Sequence, residues 1–241
     1  MTEHSLVPPA TRARIKSLAV PVALVAGRAG LTPNALTVLG FLGVCVSAWL
    51  AADGQWVAAG VVSLVFAGFD MLDGALARAT GRVSRFGAFL DSTLDRAGEG
   101  VLYVGVVAGT AAGALARGSS AGTVPVLPAL AALAMVAAFL VSYTRARAEG
   151  LGFGGDVGVA PRAERVVVMG LGLIATGLAG GIAVDAGAAG GSLGLPGGFE
   201  LSMQAGQPWL AGTLALLFIL STVTVLQRIW HVRAQARQVE E

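Results

Sequence analysis

Four aspartates open the chemistry of this sequence: Asp70, Asp73, Asp91 and Asp95, in the stretch DMLDGALARATGRVSRFGAFLDSTLD. Positions three or four apart share a helix face. Asp70 with Asp73, and Asp91 with Asp95, can therefore each point two carboxylates one way, from two consecutive helices joined by a turn around Gly81. Apolar runs flank the stretch on both sides. A carboxylate at membrane depth costs roughly 2.5–3.5 kcal/mol on insertion scales, so four of them require a compensating partner. Hard divalent cations such as Mg²⁺ or Mn²⁺ take oxygen ligands of this kind. Two such cations, held by shared carboxylates, can clamp a diphosphate and stabilise charge on the attacking and leaving oxygens. Asp70, Asp73 and Asp91 are the best candidate ligands. The competing reading, solvated acids in a loop, suits one aspartate far better than four at these spacings.

A second charged group is basic. Arg162 and Arg165 stand three apart at the start of an apolar stretch, so they share a face beside a helix N-terminus, a natural anion site. Arg145 and Arg147 are two apart, so only one of them can point the same way. The alternative is a basic cluster that serves membrane topology alone.

The elements that must carry these groups follow from composition. Of 241 residues, 55% are hydrophobic and 12% charged, with mean hydropathy +0.76, which describes a polytopic membrane protein and excludes a soluble domain. The single Cys45 lies in an apolar run and has no partner within the chain for a disulfide. The expected fold is all-α, with six transmembrane helices preceded by a juxtamembrane amphipathic helix. Residues 1–30 form a cytoplasmic tail and that helix, 31–230 the transmembrane catalytic domain, and 231–241 a basic cytoplasmic tail. A cleaved signal peptide is the minor alternative for the N-terminus, because its apolar stretch is short and Pro21 interrupts it.

Thr32 is the expected cap of the first span, with Pro33 at its first helical position. Further spans are expected from about Trp56, Ser84, Val124, Pro161 (to about Val184) and Pro208 (to about Ile229), with a long Gly/Ala-rich loop at 187–206. With six spans, all but Arg117 of the 16 Lys and Arg residues fall on one side. The positive-inside rule puts that side, with both termini and the aspartates, in the cytoplasm; the expected location is the plasma membrane.

The string Asp70-x2-Asp73-Gly74-x2-Ala77-Arg78-x8-Gly87-x3-Asp91-x3-Asp95 resembles the full signature of the CDP-alcohol phosphotransferase family, and a weaker likeness runs from Leu31 to about Leu173. The resemblance implies transfer of a phosphatidyl group from CDP-diacylglycerol to a hydroxyl, with release of CMP, at a site holding two Mg²⁺ or Mn²⁺ ions. It implies that Asp95 is the general base; a fourth metal ligand is the other role open to it. It also favours nucleotide contact for Gly74 and Gly87, with Asp73, Ala77, Arg78 and Asn34 bordering the same site, although helix packing explains the small residues too.

Tyr143-x-Arg145-x-Arg147-x-Glu149, a glycine-rich loop and Arg162-Ala163-Glu164-Arg165 resemble the branch whose acceptor is inositol phosphate. This assigns Arg145, Arg162 and Arg165 to the acceptor's phosphate, although the family often has lysine at the first of these. Inositol 1-phosphate is the first-choice acceptor; glycerol 3-phosphate or an unphosphorylated alcohol are the alternatives. The family likeness further implies a homodimer, and nothing points to nucleic acid. An ion transporter would also place acids in a membrane, but here they gather in one place beside arginines. A membrane prenyltransferase would split its acidic motifs between two halves of the sequence.

Overall fold

The computed structural model describes residues 20–116, 126–182, 191–195, 199–203 and 205–240. Expectations for residues 1–19 and for the loop holding Arg117 lie outside them. Helix α1 covers residues 20–28, and α2 (Pro33–Ala52) starts as its sequence predicts. The Thr32 side chain accepts a hydrogen bond from the Ala35 N–H at 3.2 Å, and Pro33 occupies the first turn. Then follow α3 (Trp56–Ala67), α4 (Phe69–Ala79), α5 (Arg85–Ala116), α6 (Val126–Gly150), α7 (Arg162–Leu178) and α8 (Gln207–Glu240).

Among the described residues, five helical segments are long and apolar enough to cross a membrane, with α3 and α4 counting as one. The expected fifth span corresponds to α7, which is only 17 residues long. It stops at Leu178 rather than near Val184, because Gly180 (φ +104°) and Gly181 (φ +68°) take backbone conformations that end a helix. The described parts of the expected 187–206 loop hold an antiparallel hairpin, β1 (Gly191–Leu195) and β2 (Phe199–Met203), in which Gly191 pairs with Met203 and Leu195 with Phe199. Helix α8 continues past Ile229 through the basic stretch to Glu240.

Exposed apolar side chains recur at helical spacing: Leu42, Val46 and Trp49 on α2; Leu133, Val136 and Leu140 on α6; Leu216, Ile219, Val223 and Leu226 on α8. In water such stripes would be an aggregation liability; against lipid they are the natural outer face. The interior is packed from Trp56, Tyr103, Val106, Met169, Leu173, Leu210, Leu214 and Leu217. Small residues set how near the helices come. A Cβ at Gly105 would lie 2.2 Å from the Ala48 carbonyl oxygen, and one at Gly109 2.2 Å from that of Ala51. Both partners are backbone, so α2 and α5 can touch here only through glycine.

A smaller cluster of Ala23, Leu36, Ala75 and Leu76 fixes α1 and α4 against the start of α2. Helix α4 leaves α3 at Gly68 and ends at a turn in which Gly81 has φ +66°. This short, polar α4 and the first turns of α5 carry all four aspartates.

Candidate active site

Helix α4 and the start of α5 face the first turns of α2 across a cavity of about 280 Å³. Asn34, Asp73, Gly74, Ala77, Arg78 and Gly87, the six residues expected at a nucleotide, all line it, as does Asp91. Gly87 leaves room where a Cβ would stand 3.2 Å from Asn34 Oδ1 and 3.0 Å from Ser84 Oγ. At Gly74 a Cβ would meet the Arg78 guanidinium at 3.2 Å, so the arginine lies back across its own helix beside the cavity. Asp73 is buried, at 5% exposure, and accepts a hydrogen bond of 2.6 Å from the Thr37 hydroxyl.

Asp70 and Asp95 meet on the neighbouring side. The Arg162 guanidinium, from the first turn of α7, bridges them: its Nη1 donates to Asp70 Oδ2 and lies 2.8 Å from Asp95 Oδ1. Among the described residues no three acidic, His or Cys side chains cluster closely enough to hold a metal ion as they stand. Arg162 satisfies two of the aspartates instead. The four carboxylates therefore form two adjoining pairs, one lining the cavity and one bridged, and half compensated in charge, by a cation of the chain.

The three arginines assigned to an acceptor phosphate part company. Arg162 joins the aspartates. Arg145 lies at the end of α6, with Nε 2.8 Å from Glu149 and Nη1 3.1 Å from Asp156. Arg165 is 2% exposed; it donates through Nε and Nη2 to Glu99, at 2.8 Å each, and through Nη1 to the Ala160 carbonyl at 3.0 Å. A two-pronged pair of this kind is geometrically exacting and is tied into the interior. The expectation gave Arg162 and Arg165 equal parts because they share a face. The packing separates them, because α5 brings a different acid to each.

Two participants escaped the sequence reading. Glu99 stands four residues after Asp95, so the Asp91–Asp95 spacing continues by one turn; that signal was present. Thr37 lies three residues after Asn34 on one face of α2, a weaker signal, since hydroxyls are common in apolar helices. A small cavity of about 30 Å³ lies behind the arginines, lined by Ser63, Asp70, Glu99, Tyr103, Arg162 and Arg165.

Comparison with known proteins bears on this arrangement. The family model for CDP-alcohol phosphatidyltransferases matches residues 30–189. The chain belongs to that family. It is accordingly an enzyme of the phosphatidyltransferase class, and the transporter reading falls away. It is 37% identical over 233 residues to the phosphatidylinositol phosphate synthase of Mycolicibacterium smegmatis, covering 95% of this chain and 90% of that protein. The archaetidylinositol phosphate synthase of Pyrococcus horikoshii is 39% identical over 141 residues, 58% of this chain and 68% of its own.

Among solved structures, the Mycobacterium tuberculosis phosphatidylinositol phosphate synthase with CDP-diacylglycerol bound superposes with a TM-score of 0.69 at 29% identity, covering 90% of this chain and 94% of the other. The same synthase in complex with manganese and citrate gives 0.69 at 30% identity, covering 89% and 88%. The phosphatidyltransferase fold therefore extends well beyond the signature, through α8.

Proposed function

We infer that this phosphatidyltransferase moves the phosphatidyl group of CDP-diacylglycerol onto inositol 1-phosphate, yielding phosphatidylinositol phosphate and CMP. The observation that carries the reading is the cavity itself: Asn34, Gly74, Arg78 and Gly87 border one space with Asp73 and Asp91, beside the Asp70–Arg162–Asp95 bridge. A nucleoside diphosphate needs close backbone approach, a cation beside its phosphates and carboxylates to hold metal, and this cavity offers all three. The structural neighbours, one solved with CDP-diacylglycerol and one with manganese, support the same assignment.

The donor set fits a divalent metal, since it is all carboxylate oxygen and already draws a cation between Asp70 and Asp95. Asp70, Asp73 and Asp91 would hold two Mg²⁺ or Mn²⁺ ions, which when bound neutralise charge on the diphosphate. Thr37 keeps the Asp73 carboxylate in one orientation. Asp95, on the same face as Asp91 and one turn further along α5, takes the proton of the acceptor hydroxyl as its oxygen attacks the phosphorus bearing the diacylglycerol. The new P–O bond forms as the bond to the bridging oxygen breaks, and CMP leaves with that electron pair.

Arg145 and Arg162 hold the acceptor's phosphate by exchanging a carboxylate partner for it. Arg165, locked to Glu99, anchors α7 against α5 and so holds the helix that carries Arg162. The basic asymmetry of the sequence supports a cytoplasmic site in the plasma membrane, six spans with α7 as the short one, and the family likeness supports a homodimer.

The test is acceptor choice. Purified enzyme with labelled CDP-diacylglycerol and Mn²⁺ should release CMP with inositol 1-phosphate and far less with glycerol 3-phosphate, inositol or serine. Arg145→Ala and Arg162→Ala should each raise the KM for inositol 1-phosphate about ten- to a hundredfold, the worth of one charge-assisted contact. Equal use of unphosphorylated inositol, with both variants silent, would overturn the acceptor and leave the reaction class standing.

A further inference from the structure

The loop joining α6 to α7, residues 151–161, connects the two acceptor arginines, and it is fastened along one face of α8. Gln235 pairs both ways with the Gly154 backbone: the Gly154 N–H donates to Oε1 and Nε2 donates to the Gly154 carbonyl, each at 2.9 Å. Arg228, 5% exposed, donates through Nε to the Val157 carbonyl at 2.8 Å and through Nη1 to the Val141 carbonyl of α6. The Ala160 N–H donates to Thr224 Oγ1 at 3.1 Å. Thr224, Arg228 and Gln235 are spaced by four and seven residues, so they form a single stripe on α8.

The loop touches both sides as it passes. A Cβ at Gly155 would lie 3.1 Å from the Arg145 backbone, and one at Gly158 2.2 Å from the Thr224 methyl. Asp156 between them pairs with Arg145, and Ala160 stands two residues before Arg162. Val141, which Arg228 grips, is one helical turn before Arg145. Each of these bonds ends on backbone, so the stripe fixes where the loop runs without facing the nucleotide cavity. A buried guanidinium spent entirely on carbonyls makes sense where the geometry of those carbonyls matters.

We propose that Thr224, Arg228 and Gln235 are positioning residues that set the separation and aim of Arg145 and Arg162, and thereby the enzyme's affinity for its phosphorylated acceptor. This rests on reading those two arginines as the acceptor site.

The experiment compares steady-state kinetics of purified full-length Gln235→Ala, Thr224→Val and Thr222→Val with inositol 1-phosphate and CDP-diacylglycerol, alongside thermal midpoints. Thr222 bonds only within its own helix, to the Phe218 carbonyl, and serves as the control. Gln235→Ala and Thr224→Val should each raise the inositol 1-phosphate KM about two- to tenfold, the worth of a neutral hydrogen bond. The kcat and the CDP-diacylglycerol KM should stay at wild-type values, the thermal midpoint should fall only by what one lost hydrogen bond costs, and Thr222→Val should match wild type in its kinetic constants. A purely structural stripe would instead lower the midpoint and the active fraction and leave the acceptor KM alone; that result overturns the proposal. If Arg145→Ala and Arg162→Ala raise the acceptor KM and the stripe variants do not, the stripe inference alone falls. If none of the four moves it, the acceptor-site reading falls and takes the stripe with it.

Discussion

Replacing Thr37 by valine removes one hydroxyl and almost nothing else. Thr37 is 6% exposed, valine has nearly its shape, and both are β-branched, so the packing between α2 and α4 is kept. What disappears is the 2.6 Å hydrogen bond to Asp73 Oδ2. The same hydroxyl also lies 3.1 Å from the Pro33 carbonyl. It has only one proton to give, and the shorter contact to a carboxylate claims it.

A hydrogen bond to a charged group is worth about 1.5–3 kcal/mol, which at 1.4 kcal/mol per decade is about ten- to a hundredfold. Losing an outer partner of a metal-ligating carboxylate typically costs a similar factor in metal affinity or activity. A more basic, unrestrained Asp73 would pull the other way. Orientation dominates, because a ligand free to rotate away must be reordered at each binding event. Thr37→Val should therefore raise the Mn²⁺ concentration for half-maximal CMP release by about ten- to a hundredfold, and Thr37→Ser should stay near wild type. Thermal unfolding in the same detergent checks that the valine variant is folded. A valine variant within twofold of wild type in its metal requirement, or a serine variant as poor as valine, would refute the reasoning.

Other perturbations probe the remaining parts. Asp91→Asn should abolish turnover, because a neutral amide cannot balance the metal charge, and excess chelator should abolish it in the wild type; full CMP release in chelator would sink the metal reading. Asp95→Asn should leave CDP-diacylglycerol binding intact, measured by equilibrium binding, while cutting kcat about 10²–10⁴-fold as expected for a general base. A collapse of nucleotide-lipid affinity would make Asp95 a ligand first. Gly105→Ala forces a Cβ to within 2.2 Å of the Ala48 carbonyl oxygen, and should destabilise the α2–α5 contact by about 1–3 kcal/mol, read as a lower unfolding midpoint. Arg165→Ala strands Glu99 in the interior, so lost stability of about 3–5 kcal/mol should precede any change in KM.

Local periodicity alone determined much about this protein. The spacing of Asp70, Asp73, Asp91 and Asp95, the turn at Gly81, the Thr32–Pro33 start of α2 and the membrane setting are consequences of residues within a few positions of one another, and all were legible before any fold was known. Even Glu99 was within reach, as the next turn of the same α5 stripe. Helix ends were less so: α7 stops at Leu178 because of a glycine pair, and α8 runs to Glu240 although its apolar part ends earlier.

Tertiary structure decided the partners. Arg162 is 92 residues from Asp70 in the chain, and Thr37 is 36 from Asp73. No periodic pattern encodes which face of α7 meets which face of α5. That depends on how closely glycines such as Gly105 and Gly109 let α2 approach α5, and on where α8 ties down the loop ahead of Arg162. A shared helix face made Arg162 and Arg165 look interchangeable. One turn of α7 carries them to different carboxylates of α5, and so one reaches the aspartates while the other is sealed against Glu99.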